Sequence, residues 1–308
     1  MDVMWLRMFR EVAWSGSFTA AAERLGFTQS AVSRQISALE HEVGAALFDR
    51  LPRGVRLTAQ GQSLLAHANA VLDRLDLARR DLQALDDLTA GRLTVGAFST
   101  AEVALVPRAL AAFTAAHPRV AVDLVEGTSP GQLERVRNGG TDVAVVSSTA
   151  GSALDNDQVN LHHLLDEPIL LALPRDHRLA GRRRLRLAEL ADERWIAGST
   201  DPEKTLISTG LHLGFRPHIC YVAKEWTAKL GLVAAGLGVT LVPALAATGV
   251  RGDVVLAGLD DDMPLRAVYA ATARSITPTR PANIFLDLLI RSATDLVAEL
   301  HNAIDLEP

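Results

Sequence analysis

The sequence predicts an N-terminal α+β winged helix-turn-helix domain, then a single long helix, then an α/β region folded into two lobes. Three observations carry this. Two short helical patterns are joined by a glycine turn and followed by an arginine-rich tip; a heptad-spaced stretch runs without a breaker; and from Leu93 onward apolar runs of strand length alternate with helical ones. At 308 residues the chain is long enough for roughly two domains of about 150 residues each.

The first helix is marked by Trp5, Leu6, Phe9, Val12 and Ala13 at helical spacing and stops at Ser15-Gly16-Ser17. The second runs from Phe18 to Leu25, with Ser17 as its N-cap and Gly26 as its stop. Thr28 caps a third, from Gln29 to about Val43, ended by Gly44. Val32, Ile36, Leu39 and Val43 form its apolar stripe, and Gln29, Ser30, Ser33, Arg34 and Ser37 its opposite face. Two short helices joined by a few residues with a glycine, the second bearing a polar face with one arginine, is the layout of a helix-turn-helix. The side chains suit base readout: Gln pairs with adenine, Arg with guanine, and Ser with base edges or phosphate. Ala20, Ala21 and Ala22 are small enough for the two helices to pack closely. Next, Arg50-Leu51-Pro52-Arg53-Gly54-Val55-Arg56 lies between Leu47-Phe48 and Leu57, where a winged variant places its hairpin.

Averaged over the chain, a net charge of −5 argues against a nucleic-acid partner. The layout says otherwise. Residues 1–58 hold seven Arg and six acids, 59–90 three Arg and five acids, and 91–308 the other 21 basic and 25 acidic groups. A short basic tip on a near-neutral head is enough to touch phosphates, whereas alone it reads more readily as a solvated turn.

The motifs Phe18-Thr19-Ala20-Ala21-Ala22-Glu23-Arg24-Leu25, Thr28-Gln29-Ser30-Ala31-Val32-Ser33-Arg34-Gln35-Ile36, Leu47-Phe48-Asp49-Arg50 and Arg56-Leu57-Thr58 resemble, in order and spacing, the signature of LysR-type transcriptional regulators. Two details depart from the commonest pattern: Ser30 stands where many members have Pro, and Ala59-Gln60-Gly61 where an acid-Ala-Gly is frequent. The resemblance implies a non-enzymatic regulator that binds double-stranded DNA through residues 1–58. Thr28, Gln29, Ser30, Ser33 and Arg34 would meet base edges or phosphates in the major groove, and Arg50 and Arg53 the backbone. It also implies a small-molecule effector, a homotetramer built from pairs of dimers, and a bacterial cytoplasmic setting; RNA polymerase is a further candidate partner.

From Thr58 to about Leu88 there is no Pro, and no Gly after Gly61. Gly61, Leu64, Ala68, Val71, Leu75, Ala78, Leu82 and Leu85 fall on alternating three- and four-residue steps, a heptad seam. A helix of residues 59–90 must bury that seam, against its own domain or, more economically, against a twin copy. A twofold dimer predicts an inverted-repeat DNA site.

In residues 91–308, Leu93–Phe98, Val120–Val125 and Asp142–Val146 read as strands, with helices at Glu102–Ala116 and Gln132–Asn138. A second series follows: Trp195–Ala197, a helix near Glu203–Leu213, Ile219–Val222, a helix from Trp226, and Val239–Val242. Val159–Leu173 and Met263–Ala271 read as crossovers between lobes, and a helix from Ala282 to about Ala303 returns to the first. The βαβ order implies parallel sheets with ligands at the strands' carboxyl ends. This resembles the same family's two-lobed effector domain, related in fold to periplasmic binding proteins (type 2). Lobe I would take about 91–163 and 269–308, and lobe II about 164–268.

Polar residues gather at those carboxyl ends. Ser99 and Thr100 follow the first strand, Thr128 and Ser129 the second, Ser147 and Ser148 the third, and Ser199 and Thr200 the strand at Trp195. Each reads as an effector contact or as an ordinary N-cap; the resemblance favours Ser99, Thr100 and Thr128. The chain's three lysines, Lys204, Lys224 and Lys229, all fall in the second lobe. Lys204 or Lys224 is expected to face the cleft and pair with an anionic effector.

Other readings are weaker. Leu230–Val250 has no charge, but Gly231, Gly236, Gly238, Pro243 and Gly249 break it, so it reads as a helix end, a buried strand and a new helix after Pro243 rather than a membrane span. Gly127-Thr128-Ser129-Pro130-Gly131 matches a hydrolase nucleophile elbow, yet Pro130 has no N–H to offer an oxyanion. His162 and His163 point to opposite faces of one strand and make poor joint metal ligands, and no cofactor is expected. The single cysteine, Cys220, excludes an internal disulfide and reads as a buried, inert thiol. No secretory leader is apparent at Met1–Arg7.

Overall fold

A computed structural model describes residues 1–51, 54–86, 91–148, 154, 157–211, 213–260, 263 and 265–304. The chain divides into two compact units, Met1–Leu88 with Asn138–Gly140, and Thr89–Arg137 with Thr141–Pro308.

In the first unit, α1 (Val3–Ser15), α2 (Phe18–Leu25) and α3 (Gln29–Val43) begin and end where their caps predict. Ser17 Oγ accepts from Ala20 N at 3.4 Å and Thr28 Oγ1 from Ala31 N at 3.2 Å, each satisfying a donor that the first helical turn leaves open. Phe9, Val12, Ala21, Ala22, Val32, Ile36 and Leu39 make the core, closed by Phe48, whose ring lies 5.3 Å from that of Phe9 and tilted to it. The wing is a two-stranded hairpin, β1 (Phe48–Arg50) and β2 (Val55–Leu57), in which Asp49 faces Arg56. Val55 N donates to Gly16 O at 2.9 Å, tying the wing to the end of α1. Gly54 makes this possible: its φ is +84°, and a Cβ there would sit 2.5 Å from Gly16 O.

The long helix α4 spans Ala59–Asp86. Its seam is divided. Gly61 is pressed against the Leu47 carbonyl, where a Cβ would collide, and Ala68 is buried in the head's core together with Leu72. Gly61, Leu64 and Ala68 thus serve the helix's own head rather than a partner copy, because α1 packs along this part of α4. Val71 and Ala78 are exposed, and the side chains of Leu82 and Leu85 lie outside the described residues.

In the second unit, lobe I is a five-stranded sheet of order β4-β3-β5-β13-β6. β3 (Arg92–Ala97), β4 (Ala121–Glu126) and β5 (Val143–Ser148) run parallel; β13 (Arg266–Ala273) runs antiparallel between β5 and β6 (Val159–Glu167). α5 (Leu105–Ala116) and α9 (Arg280–Ile304) pack together with Phe113 edge-on to Phe285, and α6 (Ser129–Arg137) buries Leu133 and Val136 against Ala144, Val146 and Ala271. Because β6 and β13 pair along their whole length, lobe I runs to Glu167 and resumes at Arg266, rather than breaking at residues 163 and 269.

Lobe II is a four-stranded sheet, β11-β7-β12-β8, beside the parallel pair β9 and β10. Its strands are β7 (Ile169–Pro174), β8 (Arg184–Leu185), β9 (Arg194–Ala197), β10 (His218–Val222), β11 (Thr240–Pro243) and β12 (Val254–Leu259). A parallel bridge from Trp195 to Val239 joins the two groups, over a core of Trp195, Phe215, Leu171 and Leu241. Helix α8 (Trp226–Ala234) packs on β7, β9 and β11.

Several expectations change. The helix expected from Glu102 starts only at Leu105, since Ser99–Ala104 closes as turns with Ala101 N donating to Phe98 O. The helix expected near Glu203–Leu213 is a 3-10 turn, Pro202–Lys204, and a short α7 (Ser208–Leu211), because Thr205 between them is extended. After Pro243 comes a 3-10 turn, Ala244–Gly249, not an α-helix. β8 and β12 were not foreseen. Cys220 is half-buried rather than buried: β10 slips register between Ile219 and Tyr221, and Cys220 Sγ lies 3.6 Å from His218 Nδ1. No helix among the described residues is long and apolar enough to cross a membrane.

Candidate functional site

Two surfaces stand out, one on each unit. On the head, α3 buries Val32, Ile36 and Leu39, so geometry turns Gln29, Ser30, Arg34 and Ser37 outward; Ser33 is half-buried at the edge of the stripe. Thr28 is exposed too, but its hydroxyl is engaged in capping and lies 3.2 Å from Ser30 Oγ. Other arginines of the head are paired: Arg24 with Glu11 at 3.0 Å, Arg56 with Asp49 at 3.3 Å, Arg7 with Asp76 at 3.3 Å. Arg34 has no such partner among the described residues, which leaves its guanidinium fork open for a bidentate acceptor. Arg50 lies in β1 with its side chain outside the description, and Arg53 lies outside the described residues altogether.

On the second unit, the carboxyl edge of lobe I's sheet collects the ends of β3, β4 and β5. Ser99 and Ser148 are half-buried there and Thr128 is exposed, its Oγ1 accepting from Gly131 N at 3.4 Å at the start of α6. Ser129 Oγ accepts from Ser147 N at 2.9 Å, which ties α6 to β5. Thr100 is 1% exposed and its Oγ1 accepts from Arg266 Nη2 at 2.7 Å. Arg266, at the start of β13, also donates from Nε to Glu167 Oε1 at 2.6 Å, and Leu245 N donates to Glu167 Oε2 at 2.7 Å. This buried network joins both strands that cross between lobes, the Ser99–Thr100 turn of lobe I and the Ala244–Gly249 turn of lobe II. Burial pushes the Glu167 carboxyl up, while the guanidinium and the Leu245 N–H act against it.

Two further groups at this edge were not singled out from sequence. Gln132, fully buried on α6, donates from Nε2 to Val125 O at 2.6 Å and Ala97 O at 3.3 Å, clamping the ends of β4 and β3 together. Glu102 has a buried Oε1 without a hydrogen bond, and burial, with the nearby Glu126, raises its carboxyl above the usual range. Gln132 falls with Leu133 and Val136 on the face that α6 buries, a helical spacing readable in the sequence; no local signal marks Glu102.

Lobe II presents the ends of β9 and β10 and the start of α8 on the edge where Pro243 pairs with Ile169 and the chain crosses between lobes. Ser199 Oγ accepts from Asp201 N at 3.1 Å, and Thr200 is exposed. Of the lysines, Lys224 is exposed and the Lys204 side chain lies outside the description. Lys229 is buried, 8% exposed, with Nζ 4.1 Å from the ring centroid of Trp226. Desolvation lowers its pKa, partly offset by Glu225. Among the described residues no group of His, Cys, Asp and Glu is placed to hold a metal ion.

Comparison with known proteins matches both units. Residues 3–62 fit the family described as bacterial regulatory helix-turn-helix protein, lysR family, and residues 86–294 the LysR substrate binding domain. The chain is 33% identical over 278 residues to the Hca operon transcriptional activator HcaR of Escherichia coli (strain K12), covering 88% of this chain and 91% of that one. It is 31% identical over 268 residues to the HTH-type transcriptional regulator AlsR of Bacillus subtilis (strain 168), covering 84% and 86%. The crystal structure of full-length CbnR complexed with its target DNA superposes with a TM-score of 0.67 at 26% identity, over 95% of this chain and 100% of that one.

Proposed function

Because the chain belongs to the LysR family of DNA-binding transcriptional regulators, we propose that it reads an inverted-repeat promoter site through α3 and that a small-molecule effector held between its two lobes modulates that binding. The observation that carries this is the α3 surface: an apolar face sunk in the head's core, an opposite face of Gln29, Ser30 and Ser37, and Arg34 unpaired among them. Gln and Arg supply bidentate contacts to adenine and guanine, and the serines shorter ones. Arg50 and Arg53 at the wing hold the phosphate backbone. Residues 1–58 serve as the reading head, 59–90 as the dimer helix and 91–308 as the effector domain. Val71, Leu75 and Ala78 continue the seam, and the exposure of Val71 and Ala78 supports a homodimer there. Dimers pair into a tetramer, RNA polymerase is the target of the regulated complex, and the site of action is the bacterial cytoplasm. CbnR, whose target-DNA complex is known, supports the DNA partner.

Ser99, Thr128, Ser148, Ser199 and Thr200 line the effector's path, with Thr100 holding the Arg266 side chain and Ser129 the backbone of β5 beside it. Effector binding acts by its different affinity for the more open and more closed lobe arrangements, linked to the spacing of reading heads. The test is a gel shift on the gene's own upstream DNA across a salt series. Binding should weaken as salt rises, and Arg34→Ala should lose affinity by about 1–3 kcal/mol with an unchanged circular dichroism spectrum. Absence of any salt-dependent DNA binding by the wild type overturns the reading.

A further inference from the structure

We propose that Lys229 is the anion-binding residue of the effector cleft, and that the effector is accordingly a small carboxylate. The proposal rests on the reading of the cleft as an effector site and adds the chemical class that occupies it. Lys229 is nine-tenths buried, yet no hydrogen bond or ion pair to another described residue holds its ammonium. Elsewhere in lobe II, exposed arginines are matched at short range: Arg178 with Glu193, Arg184 with Asp260, Arg251 with Asp253. A desolvated ammonium without a counter-charge is costly, and the face of Trp226 replaces only part of its lost hydration. Glu225, one turn earlier, is exposed and acts on Lys229 only through its field.

The ammonium's position gives it a use. Helix α8 follows β10, and Ala223 N donates to Ala197 O, so the start of α8 stands over the end of β9. A Cβ built on Gly198 would lie 3.7 Å from Lys229 Nζ. The missing side chain at Gly198 therefore leaves the cation bordered by main chain at the strand's carboxyl end, on the edge where the chain crosses to lobe I. Ser199 and Thr200 follow directly. A lone cation suits a single negative charge.

The test is a thermal-shift titration of the full chain with acetate, propionate and phenylacetate, each against its own carboxamide, and with sulfate and inorganic phosphate at matched ionic strength. The carboxylates should raise the melting temperature and the amides should not. Lys229→Met should weaken carboxylate binding by about tenfold to a hundredfold, as expected for one charge-assisted hydrogen bond, and Lys229→Arg should restore part of it. Should Lys229→Met fail to fold, fluorescence of the wild type decides: a carboxylate that draws the ammonium off the Trp226 ring changes emission, and the change is absent in Trp226→Phe. Amides equal to their acids, stabilisation by sulfate or phosphate alone, a carboxylate shift that survives in Lys229→Met, or no response to any anion each overturns the assignment. A wild type that binds its promoter but ignores these anions sinks Lys229 and leaves the regulator intact. One that binds carboxylates through Lys229 but no DNA does the reverse.

Discussion

Arg266→Met is the most informative single change in the second unit. It keeps an aliphatic stem over Phe98 and removes the guanidinium that reaches Glu167 at 2.5 Å and Thr100 at 2.7 Å. Glu167, 0% exposed, is left with the Leu245 N–H as its remaining partner among the described residues. Breaking one side of a buried ion pair costs about 3–5 kcal/mol. For a unit of this size each kcal/mol moves the midpoint by roughly 2–4 °C, so scanning calorimetry should show its transition fall by roughly 6–20 °C. The deficit should depend on pH with a definite sign. Burial holds the folded-state carboxyl above its unfolded value, and losing Arg266 removes an interaction that opposes this. The folded variant then binds more protons than the unfolded chain, so its stability is greatest at low pH and is lost as pH rises through the folded value. The deficit at pH 8 should therefore shrink by pH 5. The double variant Glu167→Leu/Arg266→Met should recover much of the loss, since apolar replacement of both members is often neutral. A single variant within about 1 kcal/mol of wild type, or a double variant worse than the single, would refute the assignment of this network as the pin between the crossing strands.

Gly54→Ala forces φ of +84° on a side chain that meets Gly16 O; it should cost about 1–2 kcal/mol from the backbone alone and weaken promoter binding in a gel shift as the wing moves. Ser17→Ala removes the α2 cap and should destabilise the head by about 1 kcal/mol in urea unfolding. Lys229→Met tests a sign: with its folded pKa held below the unfolded value, the folded state sheds its proton first, so wild-type stability should gain as pH rises through the folded value toward the unfolded one, and the variant should lack that gain. Glu102→Gln removes a carboxyl held above its usual range, so it should raise the melting temperature at pH 8 more than at pH 4.

Much of the head was legible because its signals are local. Ser17, Thr28, Gly26 and Gly44 each act on the turn beside them, and α2 and α3 begin and end there. The heptad seam on α4 was legible as an apolar stripe, but its owner was not: periodicity reports that Gly61 and Ala68 are covered, not whether the cover is a twin or the same chain's head. The lysines show the same limit. Lys224 and Lys229 are alike as residues, and only the packing of α8 over the end of β9 buries the second. Glu203–Leu213 misled because helical composition does not reveal a Thr205 held extended by its surroundings.

By itself, the order of residues determined the three-part organisation, the family and the polar face of α3, because caps, turn glycines and short motifs act over a few residues. Tertiary structure alone decided the pin between lobes. Glu167 and Arg266 lie 99 residues apart and Thr100 and Arg266 166 apart, and nothing near any of them in sequence announces a partner. Burial, which turns an ordinary glutamate or lysine into a group that must find an opposite charge, belongs to the folded chain and not to the residue.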